Sequence, residues 1–165
     1  MRGYIPRMDD RLIETVREDL TLSTDRSRVD IDAVLAMLRA SHWAGSMTRP
    51  QLERAIANSL CVSVFDASAA QLGFARAVTD LATYAYLTDV IVADSARGRG
   101  IGSWMVETML MHPDLQGLRR IALWTRTARA LYERFGFSPA DVPASTYLEI
   151  RPGPAIAVIS EGPPG

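Results

Sequence analysis

The chain has 165 residues, 48% hydrophobic and 22% charged, with a formal net charge of −1. That length suits one domain with a single core, and the near-neutral balance provides no broad basic field for nucleic acid or an anionic membrane. The lone cysteine, Cys61, excludes an intrachain disulfide and suits a reducing, cytoplasmic setting. Residues 1–14 mix charge and turn formers and read as a loose lead-in. The opening Met-Arg-Gly-Tyr-Ile-Pro lacks the apolar core of a signal peptide. No window approaches the roughly 20 apolar residues of a spanning helix, so no membrane partner is expected. A first strand is predicted over 18–24. Asp30 is placed to cap a helix whose Ile31, Val34, Leu35 and Leu38 recur at helical spacing. Ser41-His-Trp-Ala-Gly45 ends it, with Gly45 as terminator.

A second helix is predicted after Pro50, a first-turn residue, with Leu52 and Ile56 as its apolar side. Cys61 opens a strand over 61–65 and reads as a buried structural thiol. Longer strands are predicted over 71–79 and 83–92, joined near Asp80. A helix over 98–111 follows, closed by His112-Pro113, then a short strand over 120–125. The helix over 128–135 ends at Gly136, a good left-handed terminator. A last strand is predicted over 147–150. Residues 152–165, rich in Pro and Gly, read as an irregular tail beyond a single domain spanning 15–151. The order is β-α-α-β-β-β-α-β-α-β, an α/β mixed sheet flanked by helices.

The most informative stretch is Asp94-Ser-Ala-Arg-Gly-Arg-Gly-Ile-Gly102, between the apolar run Val90-Ile-Val-Ala93 and a predicted helix. Strand, glycine-rich turn and helix together present free backbone N–H groups to an anion. Gly98, Gly100 and Gly102 permit a sharp turn and close approach, while Arg97 and Arg99 add positive charge. A P-loop would need a lysine after the glycines, and none is there. A dinucleotide fingerprint starting at Gly98 would need a third glycine where Ser103 stands. The pattern Arg/Gln-x-x-Gly-x-Gly/Ala is filled by Arg97, Gly100 and Gly102.

That pattern resembles the acetyl-coenzyme A loop of the GNAT family of N-acetyltransferases. A second block, Ala128-Arg-Ala-Leu-Tyr-Glu-Arg-Phe-Gly-Phe137, is similar to the family's later Ala-x-x-x-Tyr-x-x-x-Gly-Phe. The resemblance is clear from about residue 71 to 150 and fits stand-alone bacterial-type members. It implies the acyl-coenzyme A N-acyltransferase fold, with acetyl-coenzyme A as cosubstrate and no metal. It also implies a small-molecule or peptide amine as acceptor, attacking directly in a ternary complex, and leaves a homodimer open. Nucleic acid is not an expected partner. The alternatives are a non-catalytic acyl-coenzyme A sensor and a transferase for a longer acyl chain.

On the same footing, residues 97–102 (Ile101 included) would hold the pyrophosphate, and Val90, Ile91 and Val92 would pair with the pantetheine arm. Tyr132 matches the tyrosine that protonates the departing sulfur. Thr125 stands where the family commonly has a pantetheine-contacting Asn. Asp89 interrupts an apolar strand beside these contacts. Its carboxylate is placed to hold an ammonium or take its proton through water, or else serves as a strand-edge charge or structural acceptor. Glu149 is a weaker candidate of the same kind. His42, Trp43, Tyr84 and Tyr86 are candidates for the acceptor pocket. With two histidines far apart and one cysteine, no metal-ligand cluster is recognisable.

Overall fold

The computed structural model describes residues 11–140. A six-stranded sheet runs in the order β1 to β6. The strands are β1 (Glu14–Arg17), β2 (Leu20–Ser23), β3 (Leu60–Phe65), β4 (Gln71–Thr79), β5 (Tyr84–Val92) and β6 (Arg120–Leu123). Every pairing is antiparallel except β5 with β6, which is parallel. Helices α1 (Ile31–Arg39) and α2 (Arg49–Ala57) cover one face, sealing Val34, Leu38, Leu52, Cys61, Phe74 and Ile91. Helix α3 (Ile101–Met111) and the short α4 (Arg129–Glu133) cover the other, over Val62, Val64, Ala75, Ala77 and Leu87. This is the mixed sheet flanked by helices that the sequence implies.

The first strand predicted over 18–24 is found as β2, and a strand that the sequence reading did not place, β1, precedes it in a hairpin. Arg17 pairs with Leu20, so Glu18 and Asp19 form a two-residue turn, with Glu18 at φ 53°. No glycine or asparagine announces that turn, which is why the predicted strand runs through Glu18 and Asp19 and β1 goes unread. Helix α1 stops at Arg39, before Gly45, and its N-terminus is capped as predicted: Asp30 accepts from the amides of Asp32 and Ala33, both at 3.0 Å. Helix α2 starts with a capping box between Thr48 and Gln51. Cys61 is buried, its thiol pushed up to about 12 by desolvation. The final predicted strand, with Glu149, and the tail lie outside the described residues.

Two contacts orient α3, the element that carries the site. Gly73 on β4 lets the helix sit close, since a Cβ there would lie 2.9 Å from Ile101 Cγ2 and 3.1 Å from Met105 Sδ. At the other end, buried His112 accepts the Asp114 amide at Nδ1 (3.2 Å), and its Nε2 lies 3.0 Å from the Arg11 carbonyl. The Nδ1 lone pair is therefore in use, and Nε2 is the protonated nitrogen that donates to Arg11. Among the described residues no helix is long and apolar enough to cross a membrane.

Candidate functional site

After Val92 the chain makes a 3-10 turn over Asp94–Ala96, extends at Arg97, and passes through Gly98 (φ 79°) and Gly100 (φ 76°) into α3. Gly100 occupies the N-cap position in the left-handed region, and no side chain caps this helix. The first intrahelical bond runs from the Trp104 amide to the Gly100 carbonyl at 3.0 Å. The amides of Ile101, Gly102 and Ser103 therefore have no intrahelical partner. Both α1 and α2 meet the same demand with their own side chains. At the end of α3 the amides face a cavity of about 200 Å³ lined by Val92, Arg97, Gly98, Gly100, Ser103 and Leu131, among others.

The charges around this cavity are arranged by long-range contacts. Arg97 pairs with Asp94 at 2.7 Å, and Arg99 with Asp19 of the β1–β2 turn at 2.5 Å. Arg134 donates to Ser103 Oγ at 2.8 Å, bringing a third guanidinium to the rim. Asp19 and Arg134 escaped the sequence reading, since no local pattern points to either.

Beside the cavity the sheet opens. β5 and β6 pair only from Tyr84↔Arg120 to Leu87↔Leu123. From Thr88 onward the far edge of β5 has no strand partner among the described residues. The Ala93 amide bonds to the Leu72 carbonyl at 2.8 Å, so the main chain of residue 93 points to β4. Alternation then turns the N–H and C=O of Val92 and Val90 outward, into the wedge, and those of Ile91 toward β4. The side chain of Ile91 enters the α1–α2 core, whereas Val90 and Val92 pack toward α3.

Asp89 lies at an irregularity in this edge, at φ 53°. The register with β4 shifts between Phe74 and Arg76, so two residues of β5 oppose one of β4: a bulge. Its carboxylate is buried, with Oδ2 2.6 Å from Arg76 Nε. Thr88 Oγ1 donates to Oδ1 at 3.4 Å.

A larger cleft of about 1080 Å³ runs along β6 to α4, lined by Tyr84, Tyr86, Thr125, Tyr132 and residues of β6. Tyr132 is 8% exposed, and burial pushes its phenol above the ordinary value. Its position comes from the helix stop that follows. The Phe137 amide bonds back to the Tyr132 carbonyl (3.3 Å) and the Gly136 amide to that of Glu133 (3.0 Å), with Gly136 at φ 86°. That is a Schellman cap, completed by the Tyr132 and Phe137 rings meeting edge to face at 5.9 Å. The spacing Tyr-x-x-x-Gly-Phe is thus the cap that fixes the tyrosine. Its neighbour Leu131 lines the smaller cavity at the start of α3, so one short helix borders both spaces.

Thr125 Oγ1 accepts the Ala128 amide at 3.0 Å, tethering the start of α4 while lining the cleft. His42 and Trp43 stack edge to face at 5.0 Å on the connection after α1. Both are exposed, and neither lines the cleft, unlike Tyr84 and Tyr86. Among the described residues no group of three or more His, Cys, Asp or Glu gathers in metal-binding fashion.

Comparison with known proteins matches residues 58–139 to the acetyltransferase (GNAT) domain. A protein of Gibberella zeae, provisionally named an acetyltransferase, is 30% identical over 138 residues, covering 70% of this chain and 77% of its own. A crystal structure from Xanthomonas campestris pv. campestris, described as belonging to the GNAT family, is 41% identical with a TM-score of 0.76, covering 81% of this chain and 94% of that one. The glucosamine-6-phosphate N-acetyltransferase of Arabidopsis thaliana shares the fold at 16% identity and TM-score 0.58, covering 80% and 100%.

Proposed function

The chain belongs to the GNAT acetyltransferase family, and on that footing we propose that it transfers an acetyl group from acetyl-coenzyme A to an amine by direct attack in a ternary complex. The observation that carries this reading is the uncapped start of α3, which opens onto a phosphate-sized cavity at the mouth of a parted pair of strands. The amides of Ile101, Gly102 and Ser103, with the turn from Gly98, would hold the pyrophosphate. The helix dipole adds about 0.3–1 kcal/mol in exposed settings. Arg97 and Arg99 would exchange their carboxylate partners for phosphate oxygens, so donor binding should weaken as salt rises. The outward main-chain groups of Val90 and Val92 would take the pantetheine arm as an added strand, and an amide there would steady the thioester carbonyl.

Bound acetyl-coenzyme A supplies an activated carbonyl and a thiolate leaving group. The amine nitrogen bonds to the carbonyl carbon, the carbon–sulfur bond breaks, and the Tyr132 hydroxyl gives its proton to the sulfur. The proton that the nitrogen sheds on becoming an amide passes to solvent, from which the Tyr132 phenolate is reprotonated. Burial keeps that hydroxyl protonated throughout the neutral range. Transfer from an ordinary phenol to an ordinary thiol is uphill by about 2 kcal/mol, and burial of Tyr132 adds to that before hydrogen bonding in the site offsets it. Asp89, its carboxylate engaged by Arg76, enters this reading as a structural acceptor, one of the alternatives weighed from the sequence. Tyr84 and Tyr86, on the same cleft as Tyr132, would face the acceptor.

Calorimetric titration with acetyl-coenzyme A tests the donor half, and thiol release across a panel of amines tests the transfer. Absence of binding at saturating donor sinks the reading. Tyr132→Phe should bind the donor normally and lose about 10²-fold in turnover. Any alkaline limb due to Tyr132 should lie above pH 10 and vanish in that variant.

A further inference from the structure

Asp89 holds positive φ inside an otherwise extended strand, a conformation uncommon outside glycine, although aspartate adopts it more readily than most residues. Its side chain is paired from β4. Arg76 Nε meets Asp89 Oδ2 at 2.6 Å with both side chains largely buried, 13% and 5% exposed, and Arg76 Nη1 reaches Ser59 Oγ at 3.3 Å. The pair spans the shift in register between Phe74↔Ile91 and Arg76↔Thr88. The bulge has a definite consequence. Before it, Ala85 and Leu87 face the α3 core; after it, Val90 and Val92 do, and Ile91 faces the α1–α2 core. A regular strand would continue the odd-numbered series and turn the main chain of Val90 and Val92 onto β4 instead.

We propose that Arg76 is a positioning residue for the donor strand: its ion pair with Asp89 holds the bulge that turns the Val90 and Val92 main chain into the wedge. This rests on the wedge being the donor site. Arg76 touches no substrate in this scheme. It acts through the backbone of β5, anchored from Ser59 at the start of the neighbouring strand β3.

The test separates holding a backbone conformation from balancing a buried charge. Acetyl-coenzyme A is titrated calorimetrically into the wild type, Arg76→Met, Arg76→Met/Asp89→Gly and Arg76→Met/Asp89→Ala, below each melting point. Both double variants lack the buried carboxylate, but only glycine accepts positive φ freely. Arg76→Met should bind at least about tenfold more weakly, the glycine double within about threefold of wild type, and the alanine double about tenfold more weakly, as expected from the left-handed penalty. Unchanged affinity in Arg76→Met overturns the proposal, as does equal affinity in the glycine and alanine doubles. Should Arg76→Met fail to fold, the two doubles alone decide it. A wild-type protein that binds no acetyl-coenzyme A removes instead the donor-site reading beneath it.

Discussion

The end of β5 is flanked by two left-handed stretches of main chain that are held in opposite ways. In the loop, Gly98 and Gly100 adopt φ 79° and 76°, and no atom lies within 4 Å of where a Cβ would stand at either. Glycine is needed there for its backbone freedom alone, and the local sequence supplies it. At the bulge, Asp89 adopts φ 53° with a side chain, and Arg76 on another strand holds it. The loop is exposed, solvated and locally encoded. The bulge is buried and encoded by a partner that only folding brings near. One device leaves the amides at the start of α3 without a side-chain cap, the other turns a strand edge outward.

The largest effect should come from breaking the buried half of this comparison. Arg76→Met leaves a carboxylate without its partner, which costs about 3–5 kcal/mol of folding stability. Urea unfolding measures it, and a loss under 1 kcal/mol would show the pair to be idle.

Next comes Gly73→Ala, where the new Cβ would crowd Ile101 and Met105 at 2.9 and 3.1 Å. A loss of about 2 kcal/mol is expected, with weaker donor binding because the first turn of α3 must shift. Gly100→Ala should cost about 1 kcal/mol for its left-handed position. Gly102→Ala sharpens the contrast. Its Cβ would meet Leu131 and Val92 at an ordinary 3.9 Å, and its φ is not positive, so stability should stay within about 0.5 kcal/mol. Equal losses at 100 and 102 would break the claim that backbone conformation, not space, sets the need for glycine.

A control lies away from both regions. Burial lowers the affinity of His112 for a proton, while Asp114 opposes that more weakly. The unfolded chain then binds the proton more readily. The stability contributed is present above about pH 6.5 and is lost as pH falls below it. His112→Gln should flatten that slope in melting temperature.

Much of the glycine-rich loop's conformation was legible because its requirements are local. Three glycines and two arginines between a strand and a helix state both conformation and charge, and the Tyr-x-x-x-Gly-Phe spacing states a helix cap. The helices at 31 and 49 were legible through their caps and apolar spacing. The hairpin at Glu18 was not, because that residue takes φ 53° without the usual turn chemistry. Nor were Asp19 beside Arg99 and Arg134 beside Ser103, which meet across long separations in sequence. Trp43 and His42, nominated for ending the first helix, sit exposed on the connection after α1 and do not line the cleft that holds Tyr132.

By itself, then, the order of residues determined most of the elements, the Asp30 cap and the glycine-rich loop before α3, because each follows from backbone preference within a few positions. Tertiary structure alone decided where β5 and β6 part, which amides face the opening, and that Asp89 is held by Arg76. Those depend on register between distant strands, and a shift of one residue in that register reverses every side chain and main-chain group beyond it.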